Sequence, residues 1–246
     1  MSGYDFKSPR LYLNAPLKAG GNVVLDRAQA HYLSHVLRLK AGERVLVFNG
    51  RDGEWSASLA EGGKRSATLG VVARIRPQTA PADLHYLFVP LKSARLDYMV
   101  QKAVEMGVSR LQPVLTRHGQ VARVNMQRMR ANAIEAAEQC GILSLPDIEE
   151  PVPLAQLLAA RDAGRLLVFC DEASEVVSPA AALSGLSHSP LAVLIGPEGG
   201  FAEDERTALL GLPNVVRLSL GPRILRADTA AVAALTLVQT FIGDWG

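Results

Sequence analysis

Two glycine-proline loops near the carboxyl end of this 246-residue chain carry the residue types best suited to binding a ligand. The first loop covers residues 196–200, with the sequence GPEGG, and the second covers residues 221–229, with the sequence GPRILRADT. Glycine allows a ligand to approach the main chain closely, so that bare N–H and C=O groups can bind it. The two arginines, the acid and the threonine of the second loop add charge and hydrogen-bonding groups. The two loops therefore predict a ligand cleft lined largely by backbone.

Short apolar runs precede both loops and predict the strands that position them. Leu191–Ile195 and Val215–Leu220 are rich in branched residues and end at Gly-Pro, which is typical of a buried strand followed by a sharp turn. Helical patterns follow at Glu203–Leu210 and Thr229–Phe241. One such loop alone is equally typical of an ordinary tight turn between a strand and a helix. Two of them about 25 residues apart favour a shared cleft.

From Leu84 onwards, strand patterns alternate with helical patterns. This alternation predicts a parallel sheet covered by helices on both faces. Ligand sites in such sheets lie beyond the carboxyl ends of the strands, where both glycine loops fall. The other predicted strands are Leu84–Val89, Leu111–Leu115 and Leu166–Cys170, and the other predicted helices are Arg95–Gly107, Asn125–Cys140 and Leu154–Ala160.

Residues 1–76 follow a different pattern, in which short β segments surround one helix. Asp26 can cap that helix, which is predicted over Arg27–Leu39. A small β-barrel fits the pattern, and residues 77–83, with two prolines and no apolar run, predict a linker to a second domain at 84–246. The predicted strands of the barrel are Arg10–Leu13, Asn22–Leu25, Arg44–Phe48, Glu54–Leu59 and Ala67–Ile75.

Composition is that of an ordinary globular protein, with 48% hydrophobic and 20% charged residues. Cys140 and Cys170 belong to no CxxC motif or Cys/His cluster, which argues against a zinc site and favours small core residues. His31 and His35 share a helix face without further ligands, which favours surface or barrel-packing histidines over metal binding. No signal-peptide core and no run near the roughly 18 residues of a membrane span is present, so we expect a soluble cytoplasmic protein.

The net charge of +2 is unevenly distributed along the chain. Residues 1–76 hold 12 Lys and Arg against 6 Asp and Glu, and a second segment, residues 110–134, holds five arginines and no acid. Such basic segments favour a polyanion partner, although an ordinary solvated surface would also explain the first of them. Long cationic side chains are the natural contacts for phosphate groups. The candidate residues for such phosphate contacts are Arg10, Arg38, Lys40, Arg51, Arg117 and Arg123.

The two loops also carry a family resemblance. IGPEGGF and LSLGPRILRADTAA closely resemble the signature of the RsmE-type 16S rRNA methyltransferases of the SPOUT class. Residues 91–116 (LKSARLDYMVQKAVEMGVSRLQPVLT) resemble the family's first strand–helix–strand unit, and residues 133–140 (AIEAAEQC) resemble its second helix. RLYLN at 10–14 and residues 31–55 resemble its N-terminal domain. Asp228 stands where the family has glutamate, so that its reach is one methylene shorter.

The resemblance implies a fold and an activity. The fold is an α/β, parallel-sheet SPOUT domain with a deep trefoil knot, preceded by a PUA-like RNA-binding β-barrel. The activity is methylation, by S-adenosyl-L-methionine, of N3 of a uridine in the decoding region of 16S rRNA in the small ribosomal subunit. The resemblance also implies a homodimer whose cofactor cleft lies near the subunit interface, and the lack of a Cys/His cluster leads us to expect no metal. Free rRNA and the assembled subunit both stay open as substrates.

The same resemblance places the methyl donor between the two loops. Backbone atoms would bind the edge of its adenine, and aliphatic side chains would pack on the ring. The expected cofactor-binding residues are Phe169, Cys170, Leu194, Ile195, Gly196, Pro197, Gly199, Gly200, Leu218, Leu220, Gly221, Ile224, Leu225 and Arg226.

Methylation at N3 of uridine requires a site that takes the N3 proton or stabilises the resulting anion. Arg226 could stabilise negative charge on the uracil oxygens, and Asp228 could orient Arg226 or act as the base. Glu135, on the EAAEQ helix, is the alternative carboxylate. A structural interpretation is equally open for Arg226 and Asp228, which could form an ion pair and cap the last helix.

Two other functions compete with methyl transfer. A dinucleotide-dependent enzyme is disfavoured because GPEGG is not the G-x-G-x-x-G fingerprint. A non-catalytic RNA-binding factor for ribosome assembly would use the basic segments and the barrel equally well. Binding of S-adenosylmethionine, of NADH or of neither separates the three possibilities.

Overall fold

The computed structural model describes residues 5, 7–60, 67–121, 123–172, 178–186 and 190–245. The chain forms two compact units, one containing Met1–Ala80 with Ala137–Ser144 and the other containing Pro81–Ala136 with Leu145–Gly246. The domain limits drawn from the sequence stay a prediction. They differ from these units at residues 137–144, which the sequence pattern alone assigns to the second domain.

The first unit is built on a five-stranded sheet in the order β1-β3-β4-β5-β2. β1 pairs parallel with β3, and the remaining pairs are antiparallel. Leu33, Val45 and Val47 are fully buried in its core, with which Leu69 of the long last strand also packs. The strands are β1 Arg10–Tyr12, β2 Asn22–Val24, β3 Arg44–Phe48, β4 Glu54–Leu59 and β5 Thr68–Arg76.

The helix of the first unit is shorter than its sequence pattern. α1 covers Arg27–His31 and begins with a capping box, in which the Asp26 carboxylate accepts a hydrogen bond from the Gln29 N–H at 2.8 Å. A π-helical turn, Tyr32–Val36, follows directly. Arg38 then adopts a positive φ of 55°, a conformation that stops a helix, so the predicted extension to Leu39 is wrong.

The second unit contains a wholly parallel sheet. Its strands follow the order β12-β10-β11-β6-β7, and the two short strands β8 and β9 both pair with β7. The sequence pattern predicted the five long strands and missed the two-residue ones. The strands are β6 Leu84–Phe88, β7 Arg110–Leu115, β8 Asp147–Ile148, β9 Val152–Pro153, β10 Leu166–Cys170, β11 Leu191–Ile195 and β12 Val215–Leu218.

Helices cover both faces of this sheet. Ala192 and Leu194 of β11 pack with Leu154 of α4 and Leu209 of α6 on one face. α2 and α7 contact each other and lie on the opposite face, where the Tyr86 hydroxyl contacts the Met99 sulfur at 3.0 Å. The helices are α2 Ser93–Glu105, α3 Met126–Cys140, α4 Leu154–Ala159, α5 Pro179–Leu183, α6 Glu203–Leu210 and α7 Ala227–Ile242.

A buried amide fixes the carboxyl end of α7. Gln239 is fully buried, and its side-chain N–H donates to the Met106 carbonyl, just after α2, at 2.6 Å. Its side-chain oxygen accepts from the Asp244 N–H at 3.0 Å. These bonds join the carboxyl ends of α2 and α7.

Among the described helices, none combines the length and the apolar composition that a membrane span requires. The trefoil knot stays a prediction.

Candidate functional site

The two glycine loops meet at a cavity of about 240 Å³. It lies at the carboxyl ends of β10, β11 and β12, which are adjacent in the sheet, as expected for a ligand site in a parallel α/β fold. Backbone, aliphatic and acidic groups all contribute to its wall. The lining residues are Cys170, Asp171, Glu172, Ile195, Gly196, Pro197, Glu198, Leu218, Ser219, Leu220, Gly221, Pro222, Arg223, Ile224, Leu225, Ala227 and Ala230.

Two glycines of the wall are required for different physical reasons. Gly221 has a φ of +100°, which L side chains rarely adopt, and no atom lies within 4 Å of the place that a Cβ would take. A Cβ on Gly196 would instead lie 2.5 Å from the Phe201 ring. Gly196 therefore allows the first loop to pack tightly on Phe201, and Gly221 leaves the backbone of the second loop open to a ligand.

Asp171 is a buried carboxylate in the wall that the sequence analysis missed. Its side chain is 1% exposed and pairs with two arginines, Arg206 of α6 at 3.0 Å and Arg217 of β12 at 2.9 Å. Asp171 directly follows the buried strand β10, at the edge of the sheet where a ligand site was predicted. This position was the signal that could have identified it. These ion pairs join the end of β10 to α6 and to β12.

Arg95, in the first turn of α2, is a second residue that the sequence analysis missed. Its guanidinium holds Asp228 with two hydrogen bonds, Nε to Oδ2 at 2.9 Å and Nη2 to Oδ1 at 3.0 Å, and it also pairs with Glu198 of the first loop. The hydrogen bonds from Arg95 lower the pKa of the Asp228 carboxyl below its usual value. The alternative in which Asp228 pairs with Arg226 is therefore not the one that the structure shows, since the ion-pair partner of Asp228 is Arg95.

Comparison with known proteins assigns the chain to a family. Residues 78–239 match the family model described as RNA methyltransferase domain, and residues 25–72 match the RNA methyltransferase PUA domain. The ribosomal RNA small subunit methyltransferase E of Rickettsia conorii is 32% identical over 235 residues, which cover 95% of this chain and 96% of that protein. The chain belongs to the ribosomal RNA small subunit methyltransferase E family.

Solved structures of methyltransferases share the fold over nearly the whole length. A methyltransferase from Legionella pneumophila, solved with S-adenosylmethionine, is 28% identical with a TM-score of 0.83, covering 95% of this chain and 98% of that one. The ribosomal RNA small subunit methyltransferase E of Neisseria gonorrhoeae, also bound to S-adenosylmethionine, is 26% identical with a TM-score of 0.83, covering 97% and 100%. The predicted fold class, a PUA-like domain followed by a parallel-sheet SPOUT domain, is confirmed.

Most of the cofactor residues expected for this methyltransferase family line the cavity, and five do not. Phe169 and Leu194 alternate to the other face of the sheet and pack with Phe201 in the core. Gly199 and Gly200 turn towards His118, and Arg226 is exposed just outside the lining. The expected residues that line it are Cys170, Ile195, Gly196, Pro197, Leu218, Leu220, Gly221, Ile224 and Leu225.

The three candidate catalytic residues occupy different places. Arg226 is the exposed residue that precedes α7, and its side chain makes no cap hydrogen bond. Asp228 lies in the first turn of α7, paired with Arg95. Glu135 is exposed on α3 and does not line the cavity, so the structure does not bring it together with the other two.

The six residues proposed to contact RNA phosphates differ in exposure and in ion pairing. Arg10 is only 7% exposed and pairs with the buried Glu54 at 2.9 Å, so its proposed contact with RNA is wrong because its charge is used inside the first unit. Arg117 is exposed but pairs with Asp204 at 2.6 Å. The remaining four candidates are exposed, namely Arg38, Lys40, Arg51 and Arg123.

The loop after β7 holds the first glycine loop in place. The Nδ1 atom of His118 lies 3.2 Å from the Gly199 carbonyl oxygen and 3.1 Å from that of Gly200, so Nδ1 carries the proton in this arrangement. The Arg117 N–H donates to Glu205 of α6 at 2.9 Å. This part of the basic segment therefore has a structural role next to the cavity.

The two histidines of the first unit stack on each other. The rings of His31 and His35 are nearly parallel, with centroids 4.7 Å apart. Among the described residues, no three His, Cys, Asp or Glu side chains are arranged to hold a metal ion.

Proposed function

We propose that the chain transfers the methyl group of S-adenosyl-L-methionine to N3 of a uridine in the decoding region of 16S rRNA. The observation that carries this proposal is the cavity where the two glycine loops meet, since its position and lining suit a nucleoside ligand. Relatives in several bacteria are named ribosomal RNA small subunit methyltransferase E, and two similar methyltransferases were solved with S-adenosylmethionine bound.

The chemistry of the wall fits such a donor. Leu218, Leu220 and Leu225 provide apolar surface for adenine, and the open backbone at Gly221 provides hydrogen-bonding groups for its edge. The carboxylate of Glu172 suits the positive groups of the donor's methionine part. When bound there, S-adenosylmethionine supplies an electrophilic methyl group for an in-line displacement.

The residues of the chain contribute mainly by positioning and by charge. Holding two reactants in line can lower a barrier by several kcal/mol. We assign to Arg226 the stabilisation of the negative charge that develops on the uracil oxygens, because it is cationic and exposed beside the cavity. Glu135 stays a candidate only if the substrate brings it closer, since it lies outside the cavity in this structure.

We assign substrate binding chiefly to the first unit. The connecting segments of this PUA-like unit carry the exposed cations Arg38, Lys40 and Arg51, which suit contacts to rRNA phosphates in free rRNA or in the small subunit. A cytoplasmic homodimer completes the proposal. Tyr98 of α2 and Phe241 of α7 are exposed aromatic side chains that support it, since aromatic residues are enriched at interfaces. Light scattering of the purified protein tests the dimer.

Calorimetric titration with S-adenosylmethionine and with NADH tests the class of activity. Binding of the first ligand alone is expected. Binding of NADH alone would favour a dinucleotide enzyme, and binding of neither would favour a non-catalytic RNA-binding factor.

Mapping of modified uridines tests the substrate. In 16S rRNA from cells that lack the protein, one N3-methylated uridine of the decoding region should be missing, and it should return with the wild-type chain. An unchanged modification map would contradict the proposal. Methylation in vitro of free 16S rRNA against assembled small subunits then separates the two substrates.

A further inference from the structure

Arg95 contacts both glycine loops. Its Nη1 atom pairs with the Glu198 carboxylate in the first loop, and its other nitrogens hold Asp228 at the end of the second, 133 residues away in the chain. Glu198 itself lines the cavity, and so does Ala227, the residue before Asp228. One side chain on α2 therefore joins the two segments whose separation sets the width of the cavity.

The geometry of these contacts restricts the loops in orientation as well as in distance. A guanidinium is planar, so a bidentate bond to Asp228 fixes the direction in which the remaining nitrogen meets Glu198. The Asp228 and Arg95 side chains are 16% and 29% exposed, so the pair is partly shielded from solvent. Asp228 also accepts the Thr229 N–H at 3.0 Å, which fixes its carboxylate against the first turn of α7.

We propose that Arg95 is a positioning residue that holds the two glycine loops at the separation the methyl donor requires, with Asp228 as its anchor on α7 and not as the general base. This inference rests on the function proposed above. The pKa of Asp228, held below its usual value by the hydrogen bonds from Arg95, agrees with an anchor, because a carboxylate so stabilised is a weak proton acceptor.

Donor affinity and turnover of single and double variants test the proposal. Arg95→Ala and Asp228→Asn should each weaken S-adenosylmethionine binding by about 10-fold or more, and the double variant should be no weaker than the worse single variant, because both substitutions remove the same ion pair. Arg95→Lys should be impaired as well, since an ammonium group cannot reproduce the planar bidentate geometry. Asp228→Glu, which keeps the carboxylate and introduces the residue of the family pattern, should retain most of the affinity.

A matched control lies on the same helix. Glu105→Gln removes the ion pair with Lys102 at the opposite end of α2, and it should leave donor affinity and turnover unchanged. If Asp228 is the base, Asp228→Asn will lower kcat and change its pH profile while donor affinity stays at the wild-type level. Additive losses in the double variant would also overturn the proposal.

Amide hydrogen exchange without any ligand separates this inference from the proposed function. In Arg95→Ala, residues 196–200 and 221–226 should both exchange faster than in the wild type, and Glu105→Gln should not change them. If the wild type fails to bind S-adenosylmethionine but both loops loosen, the proposed function is wrong and the positioning role stands. If neither loop changes, the positioning role is wrong.

Discussion

At the scale of single residues, the two cysteines differ in their exposure to solvent. Cys170 ends β10 at the cavity wall, and its burial raises the pKa of its thiol to about 12. Cys140, at the end of α3, is exposed. The sequence prediction that both are core residues is therefore wrong for Cys140, because its position in an apolar helix pattern does not reveal which face the end of the helix presents.

The two thiols should differ in reactivity. At pH 8 only about one Cys170 thiol in 10⁴ would be ionised, so iodoacetamide should modify Cys140 first and Cys170 only after unfolding. Peptide mass mapping over time measures both rates, and Cys140→Ser provides the control in which native labelling should nearly disappear. Equal labelling of both cysteines in the folded protein would contradict the burial of Cys170.

Arg226 should affect the reaction more than donor binding. Arg226→Ala should lower kcat by about 10²-fold, because a charge that stabilises a developing anion acts in the transition state. Its donor affinity should change little, since the side chain is exposed outside the cavity lining. Arg223→Ala, in the same loop but within the lining, is the matched comparison and should affect donor affinity more. Wild-type turnover in Arg226→Ala would remove its catalytic role.

The residue types at the cleft could be predicted from sequence, but their partners could not. Glycine loops after apolar runs show where backbone is exposed, so most of the cavity wall was predicted. Pairing of Asp228 with Arg226 was one of the alternatives that the sequence left open. In the folded chain Arg95 from α2 reaches Asp228 instead, and such a pairing depends on the packing of α2 against α7.

At the scale of elements, strand limits were predictable wherever a buried run ends at a turn signal. β3, β10 and β11 match the predicted limits residue for residue, because burial on the sheet requires continuous apolar residues between Gly, Pro or polar turns. β8 and β9 have two residues each, too few to show a period. The helical segment formed by α1 and the π-helical turn ends just before the left-handed Arg38, a conformation that the sequence does not mark.

In the first glycine loop, substitution by alanine should be harmful at one glycine and tolerated at another. Gly196→Ala should lower the free energy of unfolding by about 1–3 kcal/mol and weaken donor binding, because the new Cβ would lie 2.5 Å from the Phe201 ring. Gly199→Ala is the control, since its Cβ would lie at an ordinary 3.6 Å from the His118 Cβ. Denaturant unfolding measures both variants, and equal stability of the two would contradict the tight packing on Phe201.

At the scale of the whole molecule, the first unit includes a piece of a distant segment. The Arg76 guanidinium donates to the Gly141 carbonyl at 2.8 Å, and the Tyr12 N–H donates to the Glu138 carboxylate at 2.8 Å. A chain that lacks residues 1–76 would leave residues 137–144 without these partners. Deletion of the first unit is therefore a poor test of RNA binding, and point substitutions are preferable.

Neutralising the exposed cations of the first unit should weaken rRNA binding and reduce its dependence on salt. In a variant with Arg38→Gln, Lys40→Gln and Arg51→Gln, the slope of log affinity against log salt should become shallower by about 0.7–0.9 for each phosphate group that the protein no longer neutralises. Filter binding at several salt concentrations measures this slope. Lys18→Gln, an exposed cation outside the candidate set, is the control. An unaltered slope in the triple variant would argue against this surface.

The parallel helices α2 and α7 are joined at both ends, and the two joints differ in kind. The fully buried Gln239 amide holds their carboxyl ends, whereas the partly exposed Arg95–Asp228 pair holds their amino ends beside the cavity. Salt screens the exposed ion pair and leaves the buried amide unaffected. The partly exposed contact between the helices also opens first on warming. At high salt concentration or on mild heating, the enzyme should therefore lose activity while most of its structure persists, and activity should return on dilution or cooling.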